Sequence, residues 1–232
     1  MEAPERIFDN FLVPPLRGFL HRPAEPNGKA LVLTHGAGAN CHAPLLVALA
    51  EAFAGAGFTV RRCDLPFRQE RPFGPPNPGN AARDREGLRN ALHAMRKVAS
   101  GQMFLGGHSY GGRQATMLCS EEPGIADGLL LLSYPLHPPR KPEQLRTQHL
   151  PKLSTPALFV HGTRDPFGTI VEMEAALKLI PAKTSLLPVE NAGHDLGFKG
   201  KSMGGDLIVR VLPAFRELFC HSTRSEESLS HE

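Results

Sequence analysis

The sequence predicts an α/β fold, a mostly parallel sheet with helices packed on both faces. Three observations point there. Short apolar runs of strand length alternate with longer stretches of helical periodicity along the chain. The 232 residues are 41% hydrophobic and 21% charged, enough to build a sizeable core and too apolar for a disordered chain. Neither an internal repeat nor a linker interrupts the pattern, so the whole of 1–232 reads as one domain with its core at about 16–218.

The elements follow in order. KALVLTH (29–35) is a compact buried strand that runs into a Gly-rich loop. APLLVALAEAFAGAG (43–57) is a helix, with Pro44 in its first turn and Gly55 and Gly57 ending it. FTVRRCD (58–64) is a second strand. LPFRQERPFGPPNPGN (65–80) reads as a loop too rich in proline for regular structure, and 81–99 as a long amphipathic helix. Strands are expected at 102–107, 126–135, 155–162 and 184–190, with helices at 172–180 and 204–219. The connection 135–154 is proline-rich and basic, with room for a short helix but not for a lid domain. The polar stretch 220–232 reads as a frayed tail.

Composition excludes several classes. The formal net charge is +3, no lysine or arginine block occurs, and two tyrosines with no tryptophan offer little for base stacking, so no nucleic-acid partner is expected. The four cysteines show no metal-binding spacing and read as free thiols. No apolar run approaches the ~18 residues of a membrane span, and MEAPERIFDN lacks the pattern of a signal peptide. The expectation is a cytoplasmic protein, monomer or homodimer, with no membrane association, no metal and no organic cofactor.

FLGGHSYGGR (104–113) carries the chemistry. A strand feeding Gly107-His108-Ser109-Tyr110-Gly111 and then a helix is the pattern of a nucleophile elbow. The serine must stand on a sharp, strained turn, and the flanking positions have no room for a Cβ. Its hydroxyl is a weak nucleophile until a base takes its proton. In a sheet of this kind the acid follows a late strand and the histidine the last one. HGTRD (161–165) supplies Asp165 and ENAGHD (190–195) supplies His194. Asp195 is a rival acid, ranked lower because adjacent side chains orient one another badly. The two oxyanion donors are expected to be the backbone N–H groups of Tyr110 and Ala37, the latter in HGAGAN (35–40).

With these motifs in place, the chain resembles the α/β-hydrolase superfamily over residues 16 to 218, through HGAGAN, GHSYGG (107–112), HGTRD and AGHD (192–195). Within it the chain is similar to the small, lid-poor branch near the dienelactone hydrolases. Those enzymes use a cysteine where this chain has Ser109, which argues against dienelactone chemistry here. The resemblance implies a serine hydrolase that cleaves a small ester or thioester through Ser109, His194 and Asp165. A serine peptidase and a non-catalytic binding module on the same fold are the alternatives. The partner implied is a small acyl substrate. Phe67, Arg140 and Phe167 are candidates to bind it, with the arginines of 65–80 and 135–154 either meeting an acidic substrate group or forming a solvated surface.

Overall fold

A computed structural model describes residues 3–10, 12–198 and 205–220. Among the described residues, eight strands form one sheet: β1 (Glu5–Asp9), β2 (Leu16–His21), β3 (Ala30–Thr34), β4 (Thr59–Cys63), β5 (Met103–His108), β6 (Gly128–Leu132), β7 (Ala157–Gly162) and β8 (Thr184–Val189). Their order across the sheet is β1-β2-β4-β3-β5-β6-β7-β8. β3 to β8 pair in parallel, whereas β2 runs antiparallel to β4 and β1 antiparallel to β2.

Six helices among the described residues flank it: α1 (Pro44–Gly55), α2 (Pro66–Glu70), α3 (Ala81–Arg96), α4 (Tyr110–Glu121), α5 (Ile170–Leu177) and α6 (Gly205–Cys220). The period of two along each strand sorts the core. Ala30, Val32, Met103, Leu105, Leu129 and Leu131 face α3, α4 and α5. Leu31, Leu33, Phe104, Leu130 and Leu132 face α1 and α6. On that second side Phe53, Phe58, Phe104 and Phe215 meet edge to face or tilted, with centroids 4.8 to 6.1 Å apart. Such pairs add about 0.5–1.5 kcal/mol each beyond their burial.

Two expectations are corrected. The sequence reading placed no strand before residue 29, yet β1 and β2 extend the sheet there as an antiparallel edge. The stretch 65–80 is not wholly irregular: Pro66 starts α2 at a position where its missing N–H costs nothing, and Pro78–Asn80 forms a 3-10 turn. The connection between β6 and β7 carries only a 3-10 turn at Leu150–Lys152. The tail expected at 220–232 lies, beyond Cys220, outside the described residues. Cys41, Cys63 and Cys119 are free and buried, and burial pushes each thiol up to about 12.

Candidate active site

β5 ends at His108 and α4 starts at Tyr110, leaving Ser109 alone in the turn with φ 51° and ψ −115°. Positive φ is costly for a serine and persists only where the surroundings dictate it. Here they do. A Cβ on Gly107 would sit 2.5 Å from the Gly112 nitrogen, and one on Gly111 would sit 2.6 Å from the His35 carbonyl oxygen. The two glycines therefore let strand, helix and the loop after β3 touch backbone to backbone, with the serine hydroxyl at the junction.

The structure brings Ser109, His194 and Asp165 into one hydrogen-bonded line. His194 Nε2 lies 2.7 Å from Ser109 Oγ, and Nδ1 lies 2.8 and 3.0 Å from the two Asp165 oxygens. With Nδ1–H donating to the carboxylate, Nε2 is left to accept from the serine. The Asp165 side chain is fully buried, and its Oδ1 also accepts the Phe167 N–H at 2.9 Å. Asp195 instead accepts the Gly197 N–H within its own turn.

The loop that carries His194 is held from two sides. Gly162 ends β7, and a Cβ there would lie 2.4 Å from the Ala192 carbonyl oxygen, so the histidine's loop can close onto the end of the strand that leads into the Asp165 turn. His108 donates from Nε2 to the His194 carbonyl at 2.7 Å. Burial lowers the His108 pKa to about 4, so the imidazole stays neutral.

The loop 35–40 is fixed by two buried groups whose roles the sequence reading missed. His35 donates from Nδ1 to the Gly36 carbonyl at 2.8 Å and accepts the Leu65 N–H at Nε2, with burial lowering its pKa. In a planar trans peptide the carbonyl and the next N–H point opposite ways. Pulling the Gly36 carbonyl back toward His35 therefore turns the Ala37 N–H outward. Arg68 repeats the device one peptide on, donating to the Ala37 carbonyl at 2.6 Å, and also to the carbonyls of Ala39, Arg71 and Gly74. It is 6% exposed and so is neither a solvated cation nor a substrate clamp, the two readings the sequence suggested. The Tyr110 N–H opens α4, where no carbonyl of a preceding helical turn exists to take it. Its hydroxyl donates to Asp84 Oδ2 at 2.7 Å, and Asp84 Oδ1 accepts the Phe67 N–H, tying α2, α3 and α4 together behind the elbow.

The substrate-binding candidates fare unevenly. Phe167 stacks on the His194 ring at 4.1 Å and lines a cavity of about 300 Å³ that opens on Ser109 and Ala37. Phe67 is 1% exposed, packed between His35 and Tyr110, and supports the site from behind rather than lining it. Arg140 is exposed on the β6–β7 connection and does not line this cavity. Among the described residues, no cluster of His, Cys, Asp and Glu has the makings of a metal site, and no helix is long and apolar enough to cross a membrane.

Comparison with known proteins agrees with the fold. A family model described as an alpha/beta hydrolase domain matches residues 27–206. Among solved structures, the dienelactone hydrolase from Anabaena variabilis superposes with a TM-score of 0.71 at 19% identity, over 95% of this chain and 99% of that one. XC6422 from Xanthomonas campestris, described as an α/β serine hydrolase without lid, gives 0.71 at 15% identity, over 95% and 97%. Est1E from Butyrivibrio proteoclasticus gives 0.69 at 15%, over 93% and 98%. With the family model spanning most of the sheet and all three residues of the hydrogen-bonded line, the chain belongs to the alpha/beta hydrolase family.

Proposed function

We propose that the protein is a serine hydrolase that cleaves a small ester or thioester through an acyl-enzyme. The observation that carries the reading is the unbroken line from Ser109 Oγ through His194 to the buried Asp165 carboxylate. His194 Nε2 takes the hydroxyl proton as Oγ attacks the acyl carbonyl carbon. Asp165 keeps the proton of the imidazole on Nδ1 and stabilises the imidazolium that forms. The carbonyl oxygen, now negative, meets the N–H groups of Ala37 and Tyr110. His194 then gives its proton to the departing alcohol or thiol. Water repeats the sequence on the acylated serine, releasing the acid and restoring the hydroxyl. A positioned acid–base contributes about 10²–10⁴-fold and the oxyanion donors a similar factor.

The test needs no knowledge of the natural substrate. A fluorophosphonate reagent reacts with an activated serine, and the adduct is read as intact mass. One adduct on the wild type, none on Ser109→Ala, and hydrolysis of p-nitrophenyl acetate by the wild type alone are expected. A folded wild type that takes no adduct and turns over no ester would sink the reading in favour of a binding module.

A further inference from the structure

The cavity at Ser109 is not a closed cup. A second chamber of about 330 Å³ adjoins it, and the two share Gly36, Ala39, His108 and Asp195 as lining. Beyond that doorway the chamber is walled by His42, Ala43, Leu45 and Leu46 at the start of α1, with Phe198 opposite. We propose that this chamber receives the hydrophobic arm of the substrate whose carbonyl Ser109 attacks, and makes the enzyme selective for esters bearing an alkyl chain or a single aromatic ring. The inference rests on the hydrolase reading above and adds the class of substrate.

Three features support it. The walls are aliphatic and aromatic apart from the imidazoles of His35, His42 and His108 and the Asn40 side chain, and the Asp195 carboxylate at the doorway disfavours an anionic arm. The start of α1 is not an anion site either. Pro44 has no N–H, Ala43 offers no capping side chain, and the N–H groups of Leu46 and Val47 both close onto the Ala43 carbonyl. Finally, the size fits a definite arm. Taking the ~30 Å³ that one water occupies as a measure, the space holds on the order of ten non-hydrogen atoms. That suits a hexanoyl chain or a phenyl ring and leaves a long fatty chain protruding. The basic loops once considered for an acidic substrate group contribute no side chain to either chamber.

The experiment measures kcat/KM over two series, p-nitrophenyl esters of straight-chain acids from two to ten carbons, and acetate esters of straight-chain alcohols over the same range. Burial in such a chamber is worth about fourfold per methylene. In one series kcat/KM is therefore expected to climb, with hexanoate or hexyl exceeding the two-carbon member by more than tenfold, and then to level off. The series that climbs identifies the arm as acyl or alkoxy. Ala43→Phe fills the chamber and should bring the six-to-two-carbon ratio close to one. Phe198→Ala opens it and should move the plateau to longer chains. If Ala43→Phe does not fold by circular dichroism, the Phe198→Ala plateau decides alone. Flat profiles in both series, or a climb that neither variant alters, would overturn the proposal while leaving the hydrolase reading intact. Absence of turnover on every ester together with an unlabelled Ser109 would remove the hydrolase reading instead.

Discussion

Replacing His35 with phenylalanine keeps a ring beside Phe67, now 5.7 Å away, while removing both hydrogen bonds of the imidazole. The buried Leu65 N–H loses its partner, while the Gly36 carbonyl loses one of its two donors and keeps the Ala39 N–H at 3.1 Å. The orphaned N–H costs about 1–3 kcal/mol and the lost second bond about 1 kcal/mol, so about 3 kcal/mol of stability is expected to go. For a chain of this length that lowers the melting temperature by about 6–12 °C. The effect on turnover follows from the same bond. Without it the Gly36–Ala37 peptide is held only through the Ala39 N–H on the Gly36 carbonyl and Arg68 on the Ala37 carbonyl. The Ala37 N–H is then aimed less firmly at the place where the oxyanion would form. Deleting a donor outright costs about 10²–10³ in kcat, which sets the ceiling. Because the N–H survives and is only mis-aimed, a fall of about 10–100-fold is expected, with KM changed little. Steady-state hydrolysis of a short p-nitrophenyl ester, run well below the melting temperature, reads both constants. A kcat within threefold of the wild type in a protein that has lost the expected stability would refute the argument, since it would show that His35 braces the loop without aiming the peptide.

Other outcomes follow from the same geometry. Asp165→Asn leaves the shape intact but turns an amide toward His194 Nδ1, and kcat is expected to fall about 10³–10⁴-fold in the same ester assay. Gly162→Ala must push the Ala192 carbonyl out of a 2.4 Å clash and withdraw His194 from Ser109, so fluorophosphonate labelling should slow by at least tenfold while far-UV circular dichroism stays native; unchanged labelling would show that the loop yields without consequence. Stability should fall in acid. Burial holds His21, His108 and His149 near 4 against an ordinary 6.5, so between those values the unfolded chain binds protons that the folded chain refuses. Their contribution is complete above pH 6.5 and is lost as pH drops toward 4. The urea midpoint is expected to decline from pH 7 to pH 5, and less steeply in His149→Gln.

What the sequence made legible is what lies within a few residues of itself. The elbow declares itself because strand, glycines, serine and helix are contiguous, and Asp165 and His194 each follow a recognisable apolar run. β1 and β2 were missed because ERIFD and LRGFLH carry charges facing solvent at the sheet edge and are joined through a proline-rich turn, which blurs any strand signal. Arg68 was misread for a different reason. Its four acceptors are backbone carbonyls, which leave no trace in side-chain identity, and two of them lie about thirty residues away in the chain. Phe67 and Phe167 looked alike as phenylalanines in loops beside a strand end. Only the turn of α2, which folds Phe67 inward against Tyr110, separates the ring that supports from the ring that lines. A signal for α2 was present in Pro66, read as a breaker where it was a starter.

The contact of Gly111 with the His35 carbonyl has a bearing on how such a protein changes over time. Since the nucleophile's turn and the loop after β3 meet main chain against main chain at Gly111, with the Thr34 and His108 side chains packed beside the junction, that spacing does not draw on the Ala43 and Phe198 side chains of the second chamber. Those walls are free of that duty. Ala43 and Phe198 can be exchanged for larger or smaller groups without altering where Ser109 stands relative to Ala37. Reactivity and appetite are thus inherited separately, and a lineage carrying this scaffold can drift from one ester to another by single steps that never pass through an inert intermediate.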